Sequence, residues 1–218
     1  MKRVLFHGSE EIIDKPKYGI GNIHNDYGLG FYCTTNKKLA SEWAGRKNGF
    51  GYINKYFIRD DRLKVLDLTK SPYNSILYWV SLLINNRSIS TNLKNNYPRE
   101  LEYLKSKYLI DTSKYDAIIG YRADDSYFHF PEAFIRSEIT FSSLETIFKS
   151  GKLGKQYVII SPRAFNLIKF DSFEKISIKS YEDYYLRKNE ADKTFSKLLQ
   201  IDRYSKEKRL IDMVKDYE

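Results

Sequence analysis

The spacing of apolar residues changes several times along the chain, and each change marks an element. Residues 3–7 (Arg-Val-Leu-Phe-His) form a short apolar run that closes on a polar residue, which predicts a buried strand turning away at Gly8-Ser9. From 14 to 30 no period holds, and Pro16, Asn25-Asp26 and several glycines predict irregular chain. Residues 31–34 are β-prone. Asn36 is placed to cap a helix over 37–46 with Leu39, Ala40, Trp43 and Ala44 on one face. Residues 51–58 and 63–68 read as strands, paired like a hairpin. Ile76, Leu77, Trp79, Val80, Leu83 and Ile84 give 74–87 the period of an amphipathic helix, and a second helix is expected over 98–108.

Further along, 115–120 carries a buried-strand signal, 131–137 and 142–150 read as helical, and 156–160 is a strong β run. Residues 162–168 read as helical and 175–178 as extended. After residue 180, Leu198, Leu199, Ile201, Leu210, Ile211 and Val214 recur at roughly helical spacing, which predicts one or two helices packed on the body or on a partner. Strands and helices mix without strict alternation, so the pattern favours α+β over a doubly wound sheet. The organisation expected is one body over 1–179 and a charged helical extension over 180–218.

The length of 218 residues suits one domain with an appendage rather than two equal domains. Apolar residues at 42% and charged residues at 30% are ordinary for a folding chain, whereas 16% aromatic with 19 Tyr is high. The Lys, Asn, Ile and Tyr enrichment fits an AT-rich genome and carries little functional weight. Val4-Leu5-Phe6 is too short for the apolar region of an export signal, and the longest apolar segment, 76–84, is interrupted by Ser81 and falls short of the roughly 18 residues that span a bilayer. The expectation is a soluble, cytoplasmic protein. The single cysteine, Cys33, excludes an internal disulfide and a cysteine-only metal site, and fits a reducing compartment. His7, His24 and His129 show no metal-ligand spacing, and His24 and His129 read as structural or surface histidines.

The net charge of +9 changes the picture through its location. Residues 180–218 hold nine Lys/Arg against nine Asp/Glu, so the whole excess lies in 1–179, with 28 basic residues against 19 acidic. A basic body attracts anions, whether a dinucleotide pyrophosphate or a nucleic-acid backbone, and a solvated lysine-rich surface explains the same count.

Three separated segments carry candidate chemistry. They are Leu5-Phe6-His7-Gly8-Ser9; Tyr27-Gly28-Leu29-Gly30-Phe31-Tyr32 followed by Ala40-Ser41-Glu42-Trp43; and Lys155-Gln156-Tyr157-Val158-Ile159. A lone Gly-x-Gly is weak, and no Gly-x-Gly-x-x-Gly supports a Rossmann reading. In this order the segments resemble the diphtheria-toxin and poly(ADP-ribose)-polymerase branch of ADP-ribosyltransferases. They resemble more closely an uncharacterised bacterial family of that fold, often encoded as toxins beside small antitoxin genes. The resemblance spans roughly residues 3–170. It implies an ADP-ribosyltransferase fold, with split small sheets around an NAD⁺ cleft, peripheral helices and a helical tail.

The resemblance also assigns roles. His7 touches the adenine-side ribose, while Gly8 and Ser9 hold the nicotinamide carboxamide; a glycine there lets backbone approach a flat ligand. Tyr32 packs on one nicotinamide face and Trp43, on the helix with Ala40, on the other, where ring quadrupoles attract a cationic pyridinium by about 0.5–2 kcal/mol. Gln156 stands where the best-known members carry a Glu that stabilises the oxocarbenium-like transition state. An amide still orients the ribose 2′-hydroxyl but supplies neither negative charge nor a general base, which excludes chain elongation and favours mono-ADP-ribosyl transfer. The implied catalytic set is therefore His7, Tyr32 and Gln156, with NAD⁺ as substrate and no metal.

Asp124 and Asp125, after Gly120-Tyr121-Arg122-Ala123, are candidates for activating an acceptor, and a solvated turn explains them equally well. Glu132 and Glu138 are weaker candidates. Arg122 and Arg46 suit pyrophosphate, or surface ion pairs. The loop before the late strand carries Lys149, Lys152 and Lys155 and suits an acidic or nucleic-acid acceptor, with Phe148 placed to stack on a base; a flexible solvated connection explains it too. The implied partners are NAD⁺, a protein or nucleic-acid acceptor and a small antitoxin, in a toxin-antitoxin or phage-defence setting. Two rivals stay open: NAD⁺ glycohydrolase activity, and a non-catalytic nucleotide or nucleic-acid binding protein in which Gln156 marks lost chemistry.

Overall fold

The computed structural model describes residues 2–44, 50–123, 127–149, 154–177 and 179–217. Two small sheets organise the body. The first has the order β1-β3-β7, from β1 (Lys2–Ser9), β3 (Phe50–Arg59) and β7 (Lys169–Ser177), all antiparallel. The second has the order β2-β6-β5-β4, from β2 (Phe31–Cys33), β6 (Lys155–Ile159), β5 (Ala117–Tyr121) and β4 (Val65–Asp67). Among the described residues one bridge joins the sheets: Phe6 N–H donates to the Thr34 carbonyl at 2.8 Å and Thr34 N–H to the Phe6 carbonyl at 2.9 Å. The architecture is α+β with split small sheets.

The expected hairpin between 51–58 and 63–68 does not form. A 3₁₀ turn over Asp60–Arg62 redirects the chain, so that β3 stays between β1 and β7 while β4 pairs parallel with β5 in the other sheet. Strand β7 runs over nine residues, well beyond the four expected at 175–178. It is an edge strand, mostly exposed, and a strand with little buried face carries little hydrophobic alternation.

The strongest periodic segment becomes α2 (Ile76–Asn86), whose cap is Ser75; its hydroxyl accepts from Leu77 N–H. Every residue from Ile76 to Ile84 except Tyr78 is buried, so this helix forms the centre of the main core. Around it pack α3 (Thr91–Asn96), α4 (Pro98–Tyr108), α5 (His129–Ile135) and α6 (Phe141–Lys149). Asn36 caps α1 (Lys37–Ala44) as expected, its Oδ1 accepting from Lys38 N–H at 2.9 Å. The face of α1 that carries Leu39 and Ala40 lies on β1 and β3. Between the sheets sits a second core of Leu5, Cys33, Tyr56, Ile58, Tyr157 and Ile159, to which Ala164 on α7 (Pro162–Leu167) adds.

The C-terminal helices α8 (Lys179–Asp202) and α9 (Leu210–Lys215) pack on this body. Ala191, Leu210 and Val214 enter the main core. Asp202, nearly fully buried, accepts from Thr140 N–H at 2.7 Å and from the Ser143 hydroxyl at 3.0 Å. Among the described residues no helix is long and apolar enough to cross a membrane.

Candidate functional site

Where the two sheets meet beside the Phe6–Thr34 bridge, a cavity of about 680 Å³ opens. That is within the range of small-molecule and cofactor pockets, roughly 300–1,000 Å³. His7 and Gly8 reach it from β1, Tyr32 from β2, Ala40 and Trp43 from α1, and Gln156 from β6. Segments 149 residues apart in the chain thus converge on one cleft, with the side chains of residues 32 and 43 both in its wall. Part of the irregular segment 11–21 closes one side, contributing Ile12, Ile13 and Ile20.

The His7 ring is fixed by its Nδ1, 2.7 Å from the Tyr32 carbonyl. A carbonyl can only accept, so Nδ1 carries the proton and Nε2 is left with a lone pair. Burial lowers the His7 pKa below its ordinary 6.5, while the bond to the Tyr32 carbonyl works in the opposite direction. The ring also packs at 4.4 Å on Phe31, another cavity residue.

Tyr32 is held at its far end: its hydroxyl donates to the Gly28 carbonyl at 2.7 Å and accepts from Tyr27 N–H at 3.0 Å. Gly28 has φ of +73°, the left-handed conformation the turn requires. Burial pushes the Tyr32 phenol far above its ordinary range, so the group stays protonated and the ring is what Tyr32 offers a ligand. Tyr27 is anchored in turn, donating to the Tyr121 carbonyl at 2.5 Å, which also accepts from Trp79 Nε1.

Gly8, which lines the cavity, also meets a packing requirement. A Cβ there would lie 1.9 Å from the Ala40 carbonyl oxygen, so glycine is needed for α1 to approach β1. Close helix-on-strand packing by itself requires glycine at this position. Ser9 lies outside the cavity wall: its hydroxyl donates to the Glu11 carbonyl at 2.5 Å and accepts from Asn54 Nδ2 at 2.9 Å. It pins the start of the irregular segment to β3. Asn54, fully buried, also accepts Ile13 N–H on its Oδ1.

Gln156 presents an unusual atom. Its Oε1 is buried and has no hydrogen-bond partner among the described residues, although Gln156 lines the cavity. A buried amide oxygen without a donor costs about 1–3 kcal/mol unless something supplies one.

Charged residues gather along one wall. Arg122, nearly fully buried, lies with its guanidinium carbon 4.3 Å from the Trp43 ring centroid and Nη1 3.8 Å from Glu42 Oε2. Arg187, from α8, donates to the same Glu42 oxygen at 2.5 Å. Arg87, also in the wall, donates to Asp26 at 2.6 Å, and the other Asp26 oxygen accepts from Ala123 N–H at 3.0 Å. The sequence marks Arg122 as suited to pyrophosphate, whereas it gives Glu42 and Arg187 no role. Nothing local signals a contact that joins residues 42, 122 and 187.

Other expectations resolve differently. Phe148 is 1% exposed and packs 4.3 Å from Trp79, so it is a core residue and cannot stack on an external base. Glu138 and Glu132 lie against Arg136, at 2.8 and 3.9 Å, outside the cavity. Lys149 pairs with Glu145 at 2.8 Å, whereas Lys155 lines the cavity. Asp124, Asp125, Lys152 and Arg46 lie outside the described residues. His24 is exposed, and His129 packs between Phe130 and Phe195.

The family model described as "Protein of unknown function (DUF3990)" matches residues 3–170, and the chain belongs to that family. No curated protein matches the chain, and no solved structure does.

Proposed function

We propose that this DUF3990-family chain has the ADP-ribosyltransferase fold and is an NAD⁺-consuming mono-ADP-ribosyltransferase. One observation carries the reading: His7, Gly8, Tyr32, Ala40, Trp43 and Gln156 line a single cavity of about 680 Å³ between two small sheets. The chemistry of the wall suits a dinucleotide with a cationic end. His7 Nε2 accepts from a ribose hydroxyl. The Tyr32 ring and the face of Trp43 away from Arg122 take the pyridinium, and the cations of the Arg122 and Arg87 wall suit the pyrophosphate.

In the transfer step the bond from ribose C1″ to the nicotinamide nitrogen breaks. Its electron pair leaves with nicotinamide and neutralises the pyridinium. A nucleophile on a protein or nucleic-acid acceptor forms the new bond to C1″ and releases its proton to solvent or to a base on the acceptor. Gln156 positions the 2′-hydroxyl through its Oε1, which lacks an internal donor. With an amide there in place of a carboxylate, the site relies on clamping and orientation more than on charge stabilisation. A cytoplasmic toxin held in check by a small antitoxin, in a toxin-antitoxin or phage-defence system, is the setting that accords with the reading.

Nicotinamide release from NAD⁺ by the purified protein tests it. His7→Ala is expected to lower release at least about 100-fold, as loss of ring contact and orientation predicts, while His24→Ala leaves it unchanged. Absence of release with lysate proteins and nucleic acids supplied as acceptors removes the enzyme reading. Gln156 favours one second reading, a nucleotide-binding protein without turnover, recognised by saturable NAD⁺ binding with no nicotinamide formed. Free ADP-ribose without labelled macromolecule marks a glycohydrolase.

A further inference from the structure

Behind the Trp43 and Arg122 wall of the cavity, the body and the C-terminal helix share a carboxylate. Glu42, 4% exposed on α1, stands between two guanidinium groups: Arg187 of α8 at 2.5 Å and Arg122 at 3.8 Å from the same Oε2. The shorter contact is a charge-assisted hydrogen bond; the longer one is an ion pair beyond hydrogen-bond distance. Arg122 lies over the Trp43 indole instead, at the cavity wall. Arg187 is itself well fixed, with its carbonyl accepting from the Tyr127 hydroxyl at 3.2 Å and its guanidinium carbon 5.5 Å from the Tyr127 ring centroid. Removal of Arg187 would leave Glu42 buried with its nearest cation 3.8 Å away. A short bidentate pair with Arg122 is then the arrangement that best offsets the burial of both charges, and it draws Arg122 off the indole.

We propose that Arg187 is a positioning residue for the cavity: by engaging Glu42, it keeps the Arg122 guanidinium on Trp43 at the wall, where Arg122 meets the phosphates of a bound dinucleotide. This rests on the dinucleotide reading of the cavity as far as the ligand is concerned, and on geometry alone as far as the placement of Arg122 is concerned. The C-terminal helix thereby becomes part of the binding machinery, and any event that shifts α8 changes the affinity for the anionic part of the ligand.

Two measurements on the full chain test this. The first is calorimetric binding of ADP-ribose and of nicotinamide to the wild type, Arg187→Ala, Glu42→Gln and the double variant. Expected is a rise of about tenfold or more in the ADP-ribose Kd for Arg187→Ala, with nicotinamide binding unchanged. Glu42→Gln in the Arg187→Ala background is expected to restore ADP-ribose affinity, because an amide has no charge with which to capture Arg122. The second is fluorescence quenching. The chain has two Trp, and Trp79 is fully buried, so quenchers report on Trp43. Anionic iodide is expected to quench more than neutral acrylamide at matched concentration in the wild type. That excess falls in Arg187→Ala and returns in the double variant. An unchanged iodide excess in Arg187→Ala, or a loss that Glu42→Gln fails to restore, overturns the proposal. A wild type that binds neither NAD⁺ nor ADP-ribose overturns the dinucleotide reading, while quenching still decides whether Arg187 places Arg122.

Discussion

Replacing Tyr32 with Phe separates the two parts of that side chain. The hydroxyl joins the Gly28 carbonyl at 2.7 Å to the Tyr27 N–H at 3.0 Å, so its deletion strips two backbone groups of a partner while the ring stays at the cavity wall. Each such group costs about 1–3 kcal/mol if fully buried and unpaired. Since the turn is partly exposed and relaxes, a total near 2 kcal/mol is expected, or a fall in Tm of about 4–8 °C for a chain of this size. On the proposed reading, nicotinamide release suffers little. The phenol has a pKa far above neutrality and its lone pair and proton are both engaged, so it has no proton to exchange with a substrate. Nicotinamide release by Tyr32→Phe below its melting range is expected within about threefold of wild type. Tyr32→Ala, which removes the ring, should fall about 100-fold or more. Thermal denaturation and release assays on the same preparations decide the matter. Release lost in Tyr32→Phe with Tm unchanged would mean the hydroxyl performs chemistry and the anchoring argument is wrong.

Gly8→Ala brings a Cβ to 1.9 Å from the Ala40 carbonyl and forces α1 off β1; a loss of about 3 kcal/mol or more is expected by denaturant titration, and a change under 1 kcal/mol would refute the packing account. Asp26→Asn weakens the partner of Arg87 and of Ala123 N–H together, and should cost about 2–4 kcal/mol in the same assay, with wild-type stability as the contrary result. For His7, the native pKa is lowered, so below 6.5 the unfolded chain takes up a proton that the native chain resists. The stability His7 contributes is complete above pH 6.5 and is lost as pH falls from there to the native value. Unfolding free energies at pH 7.5 and 5.5 should therefore differ more in wild type than in His7→Gln, and equal differences would argue against a buried neutral imidazole.

The sequence discloses elements with a strong one-sided or fully apolar pattern and hides those without one. Helix α2 and strand β6 stand out because nearly all their apolar side chains are buried. The first part of strand β7, before residue 175, escapes notice because most of the strand faces solvent, and the hairpin expectation fails because 51–58 and 63–68 look alike whether they pair with each other or with distant strands. The same limit applies at the cavity. Residues 7, 8, 32, 40, 43 and 156 are legible because they fall in short segments of recognisable order. The Glu42, Arg122 and Arg187 contact is assembled by tertiary packing from three places with no local signature. Phe148 misleads for a related reason: next to a lysine-bearing loop it reads as a surface aromatic, yet its helix turns it into the core beside Trp79.

Among the described residues the two sheets share backbone hydrogen bonds at one point, Phe6 with Thr34, and both residues line the cavity. The imidazole-to-carbonyl bond from His7 to Tyr32 lies beside that seam, so the strands that carry these two rings are cross-linked there through side chain as well as backbone. A guest that enters the cleft therefore meets His7 and Tyr32 already locked to each other and loses little binding energy in ordering them.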